Sequence, residues 1–179
     1  MKEGHSTTNP GRRFSKSGLK IGFALCILWA FSSCDHGLEL PPPVKPGFGG
    51  RIAYKGNWPP PDSIKLLAVV AFKHFPPTNI VADVLSGEAV FDTTLKRKVE
   101  FQDYSFSTEP GTFEYIVVAQ QYGPDIFSNW RVVGLYTDDP EKIRPKSVVI
   151  TKETFVPTVN ITVDFDHLPP QVLVKRTPR

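Results

Sequence analysis

Residues 158–165 read Thr-Val-Asn-Ile-Thr-Val-Asp-Phe, and their alternation decides the fold class. Val159, Ile161, Val163 and Phe165 fall on one side, and Thr158, Asn160, Thr162 and Asp164 on the other, because successive side chains of an extended chain point to opposite faces. This period predicts a strand with one buried and one wet face. Ile64–Phe72 (IKLLAVVAF) is apolar on nearly both faces and reads as a central strand. Phe113, Tyr115, Val117 and Ala119 alternate less cleanly with Glu114, Ile116, Val118 and Gln120, which predicts a strand partly covered on both faces. Shorter strands are predicted at Arg51–Tyr54, Glu88–Phe91, Val99–Phe106, Trp130–Tyr136 and Ser147–Ile150, with a helical turn or two at Asn79–Leu85. Pro110-Gly111 predicts a turn with glycine at positive φ between two strands. About eight short strands at regular spacing predict an all-β fold, a single antiparallel β-sandwich of about seven or eight strands; a closed barrel is the alternative.

Composition agrees. The chain has 179 residues, 40% hydrophobic and 22% charged, the balance of a globular protein of one domain. Eighteen prolines and thirteen glycines oppose a helical bundle. The net charge of +3 resides in the leader: residues 1–33 carry Lys2, Arg12, Arg13, Lys16 and Lys20 against Glu3. The remainder holds 16 basic and 17 acidic residues, so no nucleic-acid footprint is expected.

Ile21–Phe31 (IGFALCILWAF) is an uncharged run of 11 residues behind that basic stretch. It is short of the ~20 residues that span a bilayer and matches the roughly 7–15 of a signal-peptide core. Phe31-Ser32-Ser33-Cys34 resembles a bacterial lipobox, with Phe31 where an aliphatic residue is usual. The resemblance implies a signal peptide over 1–33 and a lipid (palmitate) on Cys34 as the mature N-terminus. It implies a place in the bacterial cell envelope, on either the outer or the inner membrane. Ordinary secretory cleavage near Ser32 is the alternative, and leaves Cys34 a lone thiol. Cys26 lies within the leader, so no disulfide is expected in the mature chain. Residues 34–48, with Pro41-Pro42-Pro43 and Pro46, read as an extended tether. The sandwich is expected over 49–174, followed by a basic tail at 175–179.

Tyr104–Gly123 (YSFSTEPGTFEYIVVAQQYG) resembles the signature of carboxypeptidase regulatory-like domains, which are transthyretin-like (prealbumin-like) sandwiches. There a strand ends in Pro-Gly-Thr-Tyr or Phe, and the next runs apolar towards a Gly-Tyr or Tyr-Gly corner. Gly49-Gly50-Arg51-Ile52 and Val159–Phe165 resemble the family's first and last strands, whereas Phe101-Gln102-Asp103-Tyr104 stands where its Asp-x-x-Gly-x-Phe turn would be. The resemblance implies a non-catalytic surface or accessory module. The transthyretin-like hydrolase of hydroxyisourate is excluded, because Lys175–Arg179 replaces its terminal Tyr-Arg-Gly-Ser.

The chemistry-bearing residues point the same way. His36 lies in the tether, His74 ends the central strand, and alternation places His167 away from Asp164 and Asp166. No nucleophile elbow or phosphate-binding glycine loop is present. Asp138-Asp139-Pro140-Glu141 supplies too few oxygens for calcium and reads as a solvated turn. No catalytic residue, metal ligand or cofactor is therefore expected. The candidate ligand-binding residues are aromatic: Trp58, Tyr122, Phe127 and Trp130, with Asn57, Asp62, Asp125 and Asn129 nearby. Rings beside amides and carboxylates suit a glycan or a peptide, and also suit a plug over one end of the sandwich, as loop aromatics beside prolines often form. The expected function is that of a membrane-anchored structural or accessory module with an envelope protein partner. A glycan- or peptide-binding module is the alternative.

Overall fold

Among the described residues, the alternating and doubly apolar runs of the sequence form strands. In the computed structural model they are β1 (Gly47–Lys55), β2 (Leu66–Phe72), β3 (Ala89–Asp92), β4 (Phe101–Ser107), β5 (Gly111–Phe113), β6 (Tyr115–Gln121), β7 (Trp130–Leu135), β8 (Val148–Ile150), β9 (Phe155–Val156) and β10 (Ile161–Asp164). One short helix, α1 (Ile80–Leu85), stands between β2 and β3. The structure describes residues 44–77, 79–139, 141–142 and 144–172. The expected signal segment, Cys34, the first ten residues of the expected tether and the basic tail lie outside the described residues. β1 starts at Gly47 with Phe48 wholly buried, so the last two residues assigned to the tether belong to the domain.

The fold is all-β, with eight strands in one curled sheet ordered β3-β2-β6-β7-β10-β1-β4 and β9 attached to β1. The expected antiparallel arrangement is corrected: β1 runs parallel to both β9 and β10. The last strand returns beside the first in the same direction, which needs a long crossover, here most of the chain.

The curl follows from packing. Leu67, Val69 and Ala71 of β2 share one buried cluster with Ile52 of β1 and with Tyr104 and Phe106 of β4. In a flat sheet β2 and β1 would lie about 19 Å apart at roughly 4.8 Å per strand, so only a curled sheet brings these side chains together. The β5–β8 pair closes this inner face, with the Phe113 ring 5.2 Å from that of Phe48 and with Val148 and Ile150 in the same cluster. The outer face of β2, β6 and β7 carries a second cluster (Ala68, Val70, Val117, Ala119, Val132), covered by Ile80 and Val84 of α1. β6 is buried at every position because it lies between the two clusters.

One glycine allows the parallel return. β9 pairs Gly47 with Phe155, and β10 pairs Ile52 with Ile161, so the strand opposite β1 carries one extra residue around Pro157. That bulge presses on Gly50, where a Cβ would collide with the Val159 carbonyl. Gly111, in contrast, is not at positive φ as the turn reading required; it is already extended and paired with Ile150.

Candidate functional site

The strand directions settle which loops share an end. β7 is antiparallel to β10 and β6 antiparallel to β7, so β1, β6 and β10 all run the same way. The loops after β1 and after β6 therefore open at one end of the sheet. The four candidate aromatics do not, however, converge on one platform. Trp58 is half-buried against the inner cluster, its ring 4.8 Å from Tyr54 and 4.6 Å from Phe165. Trp130 packs on the outer cluster, on the other face of the sheet. Asn57 is held by Asp166, whose Oδ1 accepts its backbone N–H at 3.3 Å.

The surface that remains is the β6–β7 loop, residues 122–129. Its polar groups are largely used internally. Asp125 Oδ1 accepts the Phe127 N–H at 2.8 Å, and Asp125 Oδ2 accepts the Ser128 hydroxyl. Asn129 Oδ1 accepts the Asp125 N–H at 3.0 Å, and the Asn129 N–H returns to the Asp125 carbonyl at 3.0 Å. Trp130 Nε1 donates to the Ile126 carbonyl at 2.7 Å, fixing the loop to β7. Asn79, the N-cap of α1, accepts from Val81 and Ala82 through Oδ1 and donates from Nδ2 to the Phe127 carbonyl at 3.3 Å. Helix and loop thus share one residue.

This tied loop turns its apolar side chains outward. Ile126 and Phe127 are each 51% exposed and Tyr122 is 43% exposed. The Arg131 guanidinium lies 6.0 Å from the Tyr122 ring and donates through Nε to Gln120 Oε1 at 3.0 Å. Gln120 is wholly buried and also donates to the Ser63 carbonyl at 2.7 Å, linking the loop after β1 to β7. Ile126, Asn79, Gln120 and Arg131 had no signal in the sequence: each is an ordinary residue until the fold brings it to the loop.

The titratable groups form small pairs. His74 Nε2 is 3.6 Å from Asp83 Oδ2. His167 turns back onto Asp164, its Nδ1 3.4 Å from Oδ2; strand alternation placed it on the far face, but β10 ends at Asp164 and the chain turns there. Burial opposes the charge on Asp164, yet the His167 and Asp166 N–H groups outweigh it and hold the carboxyl below its usual range. Asp139 accepts the backbone N–H groups of Glu141 and Arg144 and so caps its own turn. Among the described residues no cluster of three metal-ligating side chains occurs, and no helix is long and apolar enough to cross a membrane. Comparison of the chain with protein-family models, curated proteins and solved structures returns no significant match.

Proposed function

We propose that this chain is a non-catalytic interaction module, held at a bacterial envelope membrane by a lipid on Cys34, whose contact surface is the β6–β7 loop. The observation that carries this reading is the contrast within the loop: its polar groups are tied to one another, while Ile126 and Phe127 point into solvent. A pre-ordered loop loses little freedom on binding, and exposed neighbouring apolar groups gain by being covered. The leader and the lipobox-like Phe31–Cys34 support the anchor. The two-cluster packing supports a transthyretin-like sandwich made by the curl of one mixed sheet, and the Pro-Gly-Thr-Phe entry into β5 and β6 supports the carboxypeptidase regulatory-like resemblance.

The partner this surface fits best is another envelope protein, because adjacent aliphatic and aromatic groups dominate it. A glycan or peptide is the second reading, favoured by the Arg131–Tyr122 pair at the rim. Tryptophan fluorescence separates them, because the processed chain keeps only Trp58 and Trp130, and Trp130 is bonded to the loop. Titration of the processed lipoprotein in detergent with cell-wall oligosaccharides and envelope peptides should leave emission flat if the ligand is a folded protein. A saturable shift that disappears in Phe127→Ala would install the second reading.

A further inference from the structure

β4 is the last strand of its sheet and is paired with β1 alone. The Tyr54 N–H donates to the Glu100 carbonyl at 2.8 Å, and the Thr108 N–H to the Pro46 carbonyl at 3.1 Å. Bonded and unbonded pairs alternate along an antiparallel ladder, so Gln102, Tyr104 and Phe106 direct their backbone groups to β1. The N–H and C=O groups of Phe101, Asp103, Ser105 and Ser107 point the other way, along the open edge. Among the described residues no hydrogen bond reaches them. Natural sheets usually protect such an edge by shortening it, or with proline, lysine or a bulge. β3, the opposite edge, is only four residues long. β4 is seven residues long, unbroken in register with β1, and free of proline and lysine. Its one charge, Asp103, is met by Arg51 at 2.8 Å.

We propose that β4 is a self-pairing edge: two copies of this chain join antiparallel through β4 about a twofold axis at Tyr104. The occupant follows from register. With the axis at Tyr104, Phe101 lies opposite Ser107 of the second copy and Asp103 opposite Ser105. All four outward residues then pair, and each Asp103 faces a hydroxyl. Moving the axis to residue 103 sets Asp103 against itself and strands Ser107; moving it to 105 strands Phe101 beside the Pro110 turn. Like charges directly opposite are unfavourable, so the sequence of β4 suits one register.

The test uses the processed, lipid-modified protein in density-matched detergent, with its mass followed by sedimentation equilibrium. The wild type should sediment as two chains, dissociating on dilution. Ser105→Asp places a second carboxylate opposite Asp103 and Ser105→Lys places an ammonium there; with two such pairs per dimer, the dissociation constant should rise roughly fivefold in the first and fall roughly fivefold in the second. Oxidation of co-expressed Asp103→Cys and Ser105→Cys chains should link the two species to each other in preference to either with itself. A single-chain mass for folded wild type at every concentration would overturn the proposal. So would a shift in the same direction for both charge variants, or equal self- and cross-linking.

Discussion

The Tyr104 hydroxyl donates to the Val159 carbonyl at 2.7 Å, across 55 residues of chain and over the intervening strand β1. It fastens the edge strand β4 to the bulge between β9 and β10, the place where the parallel return departs from regular pairing. Tyr54 lies on the same inner face, equally buried, but its hydroxyl has no partner among the described residues. Burial pushes both phenols above their ordinary ionisation range, so both stay protonated in neutral solution.

These two tyrosines should respond oppositely to loss of one oxygen. Tyr104→Phe leaves a buried carbonyl unpaired and should cost about 1–3 kcal/mol, whereas Tyr54→Phe removes a hydroxyl without a partner and should stabilise by up to about 1 kcal/mol. Urea denaturation with an unchanged slope checks both.

The bulge makes a parallel demand on glycine. Gly50→Ala drives a Cβ into the Val159 carbonyl and should cost about 1–3 kcal/mol. Gly111→Ala meets nothing within 4 Å of its Cβ, and should stabilise by about 0.4–1 kcal/mol through the unfolded chain. Thermal melts of the two variants should move apart from the wild type in opposite directions.

Asp164 gives the acid limb of stability a specific origin. Its carboxyl is held below the usual range in the folded state, so its contribution is full above the unfolded value of about 4 and is lost as pH falls through the lower, folded value. Asp164→Asn should lower the melting temperature at neutral pH and flatten the decline on acidification. An unchanged slope of melting temperature against pH below about pH 4 would contradict this.

The elements with a sustained period were legible from the sequence. Val159–Phe165 and Ile64–Phe72 became β10 and β2 because covering one face or two leaves different residue patterns. Pairing direction leaves no such pattern, so the parallel β1–β10 contact was not foreseen. β9 was missed because two residues before Pro157 carry no period. Among the aromatics, Trp58 and Phe127 could be picked out by residue type, but period-two reasoning stops at a strand's last residue. It could not tell that Trp58 turns inward to Tyr54 and Phe165 while Trp130 joins the opposite face.

The proposed anchor has its own test. Cys34→Ala should abolish labelling with palmitate and move the protein from the membrane fraction to the soluble one. Membrane retention without label would assign attachment to something other than the cysteine.

The most direct measurement is photo-crosslinking in intact cells from a benzophenone amino acid placed at Phe127, compared with the same probe at Phe91. Both residues are about half exposed (51% and 52%), but Phe91 lies on edge strand β3, outside the loop. One discrete, saturable adduct with an envelope protein is expected from position 127, lost on Ile126→Asp, and none from position 91. Absence of an adduct from 127 in folded, membrane-bound protein, or the same adduct from both positions, would contradict the β6–β7 loop as the contact surface.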